Sequence, residues 1–173
     1  NYIGFEEPLV REGSLKMKIL ILSDTHGDRR SMDKLVPFIS QEIDLMIHAG
    51  DNFKDSIYLK DKTSKPIMAV RGNCDFEIAD GELVFELEGL TFMLVHGHMH
   101  RVKYGLDLLA QDAHEKGANI AIFGHTHIKE NKVIGGVEII NPGSLSLPRD
   151  GIKGSYVVMD IENGKYTYSY HDN

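Results

Sequence analysis

Ile19-Leu20-Ile21-Leu22-Ser23-Asp24-Thr25-His26-Gly27-Asp28 is the stretch that decides the fold. An apolar run of strand length stops here at a carboxylate and an imidazole, those of Asp24 and His26, which are held two residues apart. A short, continuous apolar run bounded by turn residues is typical of a buried strand. Ligands bind beyond the carboxyl ends of such strands in α/β folds, so the pair predicts a site at the end of the first strand.

Four more stretches repeat this design, in which an apolar run ends in Asp, Asn or His beside a glycine. Each of them has an ordinary explanation as a strand cap or a turn. Five in succession at five strand ends are hard to explain in that way, so we expect the five ends to converge on one metal site. The four stretches are His48-Ala49-Gly50-Asp51, Arg71-Gly72-Asn73-Cys74-Asp75, Val95-His96-Gly97-His98 and Phe123-Gly124-His125-Thr126-His127.

The length and composition of the chain exclude several classes of protein. The 173 residues suffice for one well-buried core and are few for two domains. No apolar run approaches the roughly 18 residues that span a bilayer, so no membrane segment is expected. The 19 Lys and Arg residues are scattered against 26 Asp and Glu, a formal charge of −7, so an extended nucleic-acid footprint is not expected either. The single cysteine excludes an internal disulfide and favours a reducing compartment, the cytoplasm.

The amino-terminal segment differs from the rest of the chain. Residues 1–16 contain Gly4, Pro8 and Gly13 and show neither a strand nor a helix period. They lack the apolar core of a secretory signal, and they precede Met17, a natural start. We expect residues 1–16 to be an extension or a tag remnant, and residues 17–173 to form a single domain.

The first half of the domain has the pattern of parallel strands with helical crossovers. Met32, Leu35, Val36, Ile39 and Ile43 recur at helical spacing between the first and second strands. Pro37 lies inside this pattern, and because proline has no amide hydrogen it should kink or divide the helix. The predicted strands are 18–22, 45–48 and 66–70, with a short helix in 56–64.

The second half has the pattern of antiparallel hairpins. Glu88-Gly89, Gly135-Gly136 and Asn163-Gly164 each interrupt alternating or β-rich runs and predict turns. Residues 104–116 predict an amphipathic helix that stops at Gly117, and 120–123 predict another buried strand. Mixed strands with few helices predict an α/β (α+β) fold of two packed sheets flanked by helices.

The candidate ligands combine carboxylate, amide and imidazole groups. This set suits borderline divalent cations, with Mn as the first choice and Ni, Fe, Co and Zn as alternatives. His48 lies within a strand and is expected to be a buried structural residue or to support a ligand. His100, His114 and His171 are expected to be solvated or to belong to helix and tail. The candidate ligands are Asp24, His26, Asp51, Asn73, His96, His125 and His127.

In order and spacing these motifs resemble the signature of the calcineurin-like metallophosphoesterases, and most of all the compact prokaryotic phosphodiesterases of that superfamily. The resemblance covers about residues 17–160 and implies a four-layer αββα sandwich with a dinuclear metal centre. It implies that Asp51 bridges the two ions and that a bridging hydroxide attacks phosphorus in line. One ion would be held by Asp24, His26, Asp51 and His127, and the other by Asp51, Asn73, His96 and His125.

The residue after Asn73 departs from the pattern of many relatives. They have a histidine there that assists the leaving group, whereas this chain has Cys74. A thiol is a poor general acid for an alkoxide, so a good leaving group or help from His98 would be required. His98 and Asn73 are the predicted catalytic residues. Arg71 and Asp75 flank Asn73, and each would either orient it, touch phosphate or form an ordinary ion pair.

The expected function is a metal-dependent phosphoric ester hydrolase, a phosphodiesterase acting on small phosphoesters. A phosphomonoesterase, a protein phosphatase or a dinucleoside polyphosphate hydrolase of the same superfamily is an alternative. The protein phosphatase is disfavoured because Gly50-Asp51-Asn52-Phe53 lacks the usual Asp-Arg-Gly. An alternative of another class is a metal-binding scaffold for protein interaction, similar to the retromer subunit of this size. A homo-oligomer stays open.

Overall fold

The computed structural model describes residues 16–173, and the extension predicted for residues 1–16 lies outside them except for its last residue. Lys16, which we had assigned to the extension, is already part of the first strand, where it pairs with Glu162. The described elements are β1 (Lys16–Leu22), α1 (Arg29–Asp33), α2 (Val36–Glu42), β2 (Leu45–His48), α3 (Phe53–Thr63), β3 (Ile67–Ala69), β4 (Glu82–Leu87), β5 (Leu90–Val95), a 3-10 turn (His98–His100), α4 (Asp107–Glu115), β6 (Ile120–Ile122), β7 (Lys129–Ile134), β8 (Val137–Pro142), β9 (Ser155–Glu162) and β10 (Lys165–Asp172).

Two five-stranded sheets form the centre of the molecule. The first has the order β10-β9-β1-β2-β3, with β1, β2 and β3 parallel and β9 antiparallel to β1. The second has the order β4-β5-β6-β8-β7, with β5, β6 and β8 parallel and hairpin partners at both edges. Both sheets are therefore mixed, as the sequence predicts.

Alternation along β1 explains how the layers stack. Successive strand side chains point to opposite faces. Ile19 and Ile21 pack into the core between the sheets, together with Phe92. Leu20 and Leu22 pack on the other face, against α1, α2 and α3. All four side chains are fully buried, which is why the strand reads as continuously apolar.

The second sheet is covered by α4. Leu109, Ala110 and Ala113 of this helix pack against Met93 and Ala121 of β5 and β6. Three apolar clusters thus separate four layers, helices, sheet, sheet and helix, and the αββα sandwich is confirmed.

Two helical predictions are refined by the structure. Pro37 divides the first pattern as expected, and it lies in the first turn of α2, where its missing N–H costs nothing. The helix predicted from Tyr104 is shorter and begins only at Asp107, because Gly105 has a φ of +144° that a helix does not contain. Among the described residues, no helix is long and apolar enough to cross a membrane.

Candidate metal centre

Strand ends of both sheets deliver the candidate ligands to one edge of the sandwich. Asp24 and His26 follow β1, Asp51 follows β2, and Asn73 follows β3. From the second sheet, His96 follows β5, and His125 and His127 follow β6. Backbone hydrogen bonds join neighbouring loops within each sheet: the Gly124 amide donates to the His96 carbonyl at 3.0 Å, and the Asp24 amide donates to the Gly50 carbonyl at 2.9 Å.

Five of the seven candidate ligands have a left-handed backbone. The φ angles of Asp24, His26, Asp51, His125 and His127 lie between +46° and +70°. This region is uncommon for residues other than glycine, and such conformations concentrate at functional sites, where the surrounding structure holds them. The tight turns let side chains from strands far apart in sequence face one point.

Asp24 is the most informative residue of the site. Its side chain is fully buried, and its Oδ2 accepts hydrogen bonds from the Ser23 hydroxyl at 2.7 Å and from the His125 amide at 3.0 Å. Its Oδ1 has no hydrogen-bond donor, although a buried carboxylate oxygen without a partner is costly. This oxygen lies 3.3 Å from Nε2 of His127 and 3.9 Å from Nε2 of His96. A cation is the group that such an arrangement fits.

His96 and His127 present the same kind of atom to the site. Nδ1 of His96 lies 2.7 Å from the Ala49 carbonyl, and Nδ1 of His127 lies 2.7 Å from the Leu147 carbonyl. A carbonyl oxygen only accepts, so each Nδ1 carries a proton and each Nε2 is left to face the site. Ligand histidines in proteins are commonly oriented by such a bond from their other nitrogen.

The candidate ligand atoms form two groups, and the atoms within each group lie within 4.8 Å of one another. One consists of Asp24, His26 and His127, and the other of Asp24, Asp51 and His96. Oδ2 of Asp51 lies 3.3 Å from Nε2 of His96 and 4.0 Å from Nε2 of His26, so Asp51 also reaches toward the first group. A carboxylate and imidazole set of this kind fits a borderline divalent cation.

Asn73 and His125 lie beside these groups. Oδ1 of Asn73 is 3.0 Å from Nε2 of His96. The His125 ring lies 5.0 Å from the His96 ring, and its side chain belongs to neither group. Burial and the positive charges of His96 and Lys103 lower the pKa of His125 to about 4, so its imidazole is neutral at pH 7 and free to ligate.

The pKa values of the candidate ligands reflect the charges that they place on one another. Burial opposes ionisation of Asp51, but bonds from His96 and the Cys74 amide outweigh it and hold the pKa of Asp51 below its usual range. Burial would lower the pKa of His96, but the carboxylates of Asp51 and Asp24 raise it above the ordinary value. The neighbouring carboxylate of Asp24 raises the pKa of His127 as well. Protons on imidazoles thus offset charge that a cation would offset when bound.

Asp75 ties two of the ligand loops together. Its Oδ2 accepts from the amides of Asp51 at 3.1 Å and Gly72 at 2.7 Å, and its Oδ1 accepts from Phe53 at 2.8 Å. Of the alternatives for this residue, the structure supports the one in which it orients the ligand loops.

A second buried network holds the loop after β1. Gly50 donates to Nδ1 of His48 at 3.1 Å, so Nε2 carries the proton and donates to the Thr25 hydroxyl at 2.9 Å. Thr25 in turn donates to Asp55. His48 is fully buried and burial lowers its pKa, which agrees with the expected supporting role.

Sequence reasoning missed several of these supports. Asp55 sits in α3 and accepts from Thr25 and Gly27. Ser144 and Ser146 donate their hydroxyls to the Asp24 and Thr25 carbonyls at 2.8 and 2.9 Å. Each contact joins residues that are far apart in the sequence, so no local sequence pattern predicts it.

His98 and His100 line a cavity of about 360 Å³ next to the ligands. The His98 ring lies 5.5 Å from the His96 ring, and its Nδ1 is buried without a partner. The expectation that His100 is solvated is wrong, because its Nε2 lies 2.7 Å from Asp112 and its side chain is mostly buried. His114 and His171 are exposed, as expected.

The sequence matches known proteins over nearly its full described length. The calcineurin-like phosphoesterase superfamily domain matches residues 17–164. The chain is 35% identical over 158 residues to the probable metallophosphoesterase YsnB of Bacillus subtilis, covering 90% of this chain and 91% of that protein. It is 27% identical over 168 residues to the phosphodiesterase YfcE of Escherichia coli, covering 83% of this chain and 88% of that protein.

A solved structure with the same fold comes from a protein of another name. Vps29 of Entamoeba histolytica, determined in complex with zinc, superposes with a TM-score of 0.71 over 90% of this chain and 99% of its own. The sequence identity is 21%, so this likeness concerns the fold alone.

Proposed function

The chain belongs to the calcineurin-like phosphoesterase superfamily, and we propose that it hydrolyses small phosphoesters, phosphodiesters first, at a centre of two divalent cations. The observation that carries the proposal is the buried Oδ1 of Asp24, which lacks a donor and faces the Nε2 atoms of two imidazoles. Without a cation, this oxygen would be a buried carboxylate oxygen that no donor compensates.

We assign the ligands in two overlapping sets. Asp24, His26, Asp51 and His127 would hold one ion, and Asp51, Asn73, His96 and His125 would hold the other. The distances from Oδ2 of Asp51 to His96 and His26, 3.3 and 4.0 Å, support its bridging role. Asp24 belongs to both groups, so the carboxylates of Asp24 and Asp51 would both contribute to holding the two ions.

When bound, two divalent cations lower the pKa of a water molecule and neutralise charge that develops on the phosphoryl oxygens. Carbonyl bonds orient His96 and His127, and Asp75 holds the loops that carry Asp51 and Asn73. We propose Mn as the native metal, because mixed carboxylate, amide and imidazole ligands suit it, with Ni, Fe, Co and Zn as alternatives.

We propose His98 as a hydrogen-bond donor to the substrate. Burial and the charge of His96 lower the pKa of His98, so at neutral pH its ring is uncharged and holds a single N–H. A neutral imidazole can bind a phosphoryl oxygen, whereas it is a weak source of protons for an alkoxide. The expected substrates therefore have leaving groups that depart without protonation.

Cys74 reinforces this preference. Partial desolvation beside the site and the charge of Asp51 raise the pKa of the Cys74 thiol, so the thiol stays protonated at neutral pH. It is neither an activated nucleophile nor a match for the histidine found in many relatives. As an exposed free thiol it also fits the cytoplasm, the compartment that we propose.

A metal-by-substrate matrix tests the proposal. Purified protein is loaded with Mn, Ni, Fe, Co or Zn and assayed on bis(4-nitrophenyl) phosphate, 4-nitrophenyl phosphate and cyclic nucleotides. We expect Mn-dependent hydrolysis of the aryl diester, with a lower kcat/KM for the monoester. Higher kcat/KM for the monoester would indicate a phosphomonoesterase instead. Tight metal binding without turnover on any substrate would favour the scaffold alternative and contradict the proposal.

A further inference from the structure

A second cavity adjoins the candidate metal centre on the side of His125 and His127. It has a volume of about 340 Å³, and Thr126, which lies between those two histidines, is part of its wall. Three basic side chains and one acidic one line it: Lys103, Lys132, Arg149 and Glu130. We call this the basic cavity.

Two of its cations have no acidic partner. Lys132 lies 3.5 Å from Glu130, which offsets its charge. Among residues 16–173, no carboxylate forms an ion pair with Lys103 or Arg149. The Arg149 amide donates to the His127 carbonyl at 3.0 Å, which fixes this arginine beside a predicted ligand. The charges of Lys103 and Arg149 both act on the neighbouring histidines.

The cavity beside His98 has a different charge balance. Lys116 there contacts both Glu82 and Asp112, and His100 contacts Asp112 as well. Its charges are therefore largely neutralised within the protein, with Arg71 as the remaining cation. Of the two cavities, the basic cavity is the one with two free cations.

Lys103 and Arg149 are both exposed, on a chain whose formal charge is −7. The net negative charge of the chain repels anions. Anions are therefore attracted only to places where positive side chains cluster, such as the basic cavity. Arginine binds phosphate through a planar fork of donors, and lysine adds a point charge. The cavity volume exceeds that of a single phosphate and leaves room for the part of the substrate that carries it.

We propose that the basic cavity binds a second phosphate group of the substrate, recognised by Lys103 and Arg149. This inference rests on the proposed function, because it names the substrate class of the same site: phosphodiesters that carry an additional phosphate. The phosphodiester itself lies at the metal centre, and the additional phosphate lies beyond His125 and His127.

A matched substrate pair tests the inference. Thymidine 5′-(4-nitrophenyl phosphate) is compared with the same compound bearing a 3′-phosphate, so that the two differ by one phosphate group. With Mn-loaded protein we expect a kcat/KM about tenfold higher for the 3′-phosphorylated compound, since a charge-assisted contact is typically worth this much. Arg149→Ala and Lys103→Ala should each bring the ratio of the two kcat/KM values toward one.

Lys165→Ala is the control. Lys165 is exposed at the start of β10, beside the end of β9 that pairs with Lys16, and therefore at the edge of the sheet opposite the metal centre. It should retain the wild-type ratio. A ratio near one in the wild type, or the wild-type ratio in both Arg149→Ala and Lys103→Ala, would overturn the inference.

Measurements of nucleotide affinity test this inference independently of the proposed function, because they do not require hydrolysis. If neither compound is hydrolysed, the proposed function fails, but the affinities of thymidine 3′,5′-bisphosphate and thymidine 5′-monophosphate for the Mn-loaded protein still decide the matter. We expect calorimetry to give a Kd about tenfold lower for the bisphosphate, and a smaller difference in Arg149→Ala. Equal Kd values for the two nucleotides would contradict a second phosphate site.

Discussion

At the scale of the residue, the site brings together hydrogen-bond acceptors whose orientation is set by bonds to neighbouring loops. Asp24 Oδ1 and the Nε2 atoms of His96 and His127 all face inward, and none can donate to the others while Asp24 is ionised and both imidazoles are neutral. The type of each ligand could be predicted from the sequence because each stands directly after an apolar run. The direction of each ring could not, because it depends on the carbonyls of Ala49 and Leu147, which belong to other loops.

Proton release on metal binding is the prediction that belongs to this scale. The pKa values of His96 and His127 are raised above their ordinary value, so these rings hold protons up to higher pH in the metal-free protein. A cation must displace those protons, so metal affinity should rise with pH. Calorimetry of Mn binding in buffers of different ionisation enthalpy should show proton release that is larger at low pH than at high pH.

The release should decline toward zero as the pH passes above the pKa of both rings. His114→Ala, which removes an exposed imidazole of α4, should leave the release unchanged. A metal affinity that does not change with pH would contradict the assignment of these two imidazoles as ligands.

At the scale of the element, five strands and the turns after them carry the site. The sequence predicts each of these strands to within a few residues, and it predicts the turn glycines that follow them. It does not predict that Asp75, Asp55 and Ser144 tie the turns together, because each of their bonds joins different loops. The start of α4 was also misplaced, since helical spacing of apolar residues continues into the turn before Asp107.

The close packing of the loops after β1 and β6 makes a prediction at Gly124. A Cβ at this position would overlap the Ser23 hydroxyl and lie 2.7 Å from Oδ2 of Asp24. Gly124→Ala should therefore push Asp24 away from the imidazoles, at a cost of roughly 1–3 kcal/mol in stability. We expect Mn affinity, measured by calorimetry, to fall by about tenfold or more.

Gly151→Ala is the matched control, because a Cβ there meets no atom within 4 Å. It should keep both the melting temperature and the Mn affinity of the wild type. If Gly124→Ala also kept them, the close approach of the two loops would not matter for the site.

At the scale of the whole molecule, two sheets meet so that their carboxyl ends share one edge. The αββα order follows from the apolar patterns of β1 and α4, which assign one face to each layer. Helices could be predicted from periodicity, but the order of strands within each sheet could not, because it depends on pairing between distant segments. Because the strand ends of both sheets meet at this edge, the seven candidate ligands, which are scattered in the sequence, lie close together in the fold.

Metal binding should stabilise the whole fold. The ligands come from both sheets, so only the folded chain presents them together, and a ligand that binds only the folded state stabilises it by mass action. At a Mn concentration about 100-fold above Kd the gain is about 2.7 kcal/mol. For a chain of this size it should raise the melting temperature by roughly 5–10 °C, measured by calorimetry.

Asp24→Asn is the variant that tests the origin of this shift. Its amide group is a weaker ligand, so the Mn-dependent rise should shrink to a small fraction of the wild-type value. A rise of the same size in both proteins would mean that Mn stabilises the chain at another site.

The most direct measurement of the central claim is the rate of bis(4-nitrophenyl) phosphate hydrolysis as a function of Mn equivalents added to metal-free protein. We predict that the rate of the wild type rises until about two equivalents per chain are bound, because the proposed centre holds two ions. His114→Ala should follow the same curve, whereas Asp51→Asn should lose both the activity and the second equivalent. Saturation at one equivalent, hydrolysis without metal, or a wild-type curve for Asp51→Asn would contradict the account.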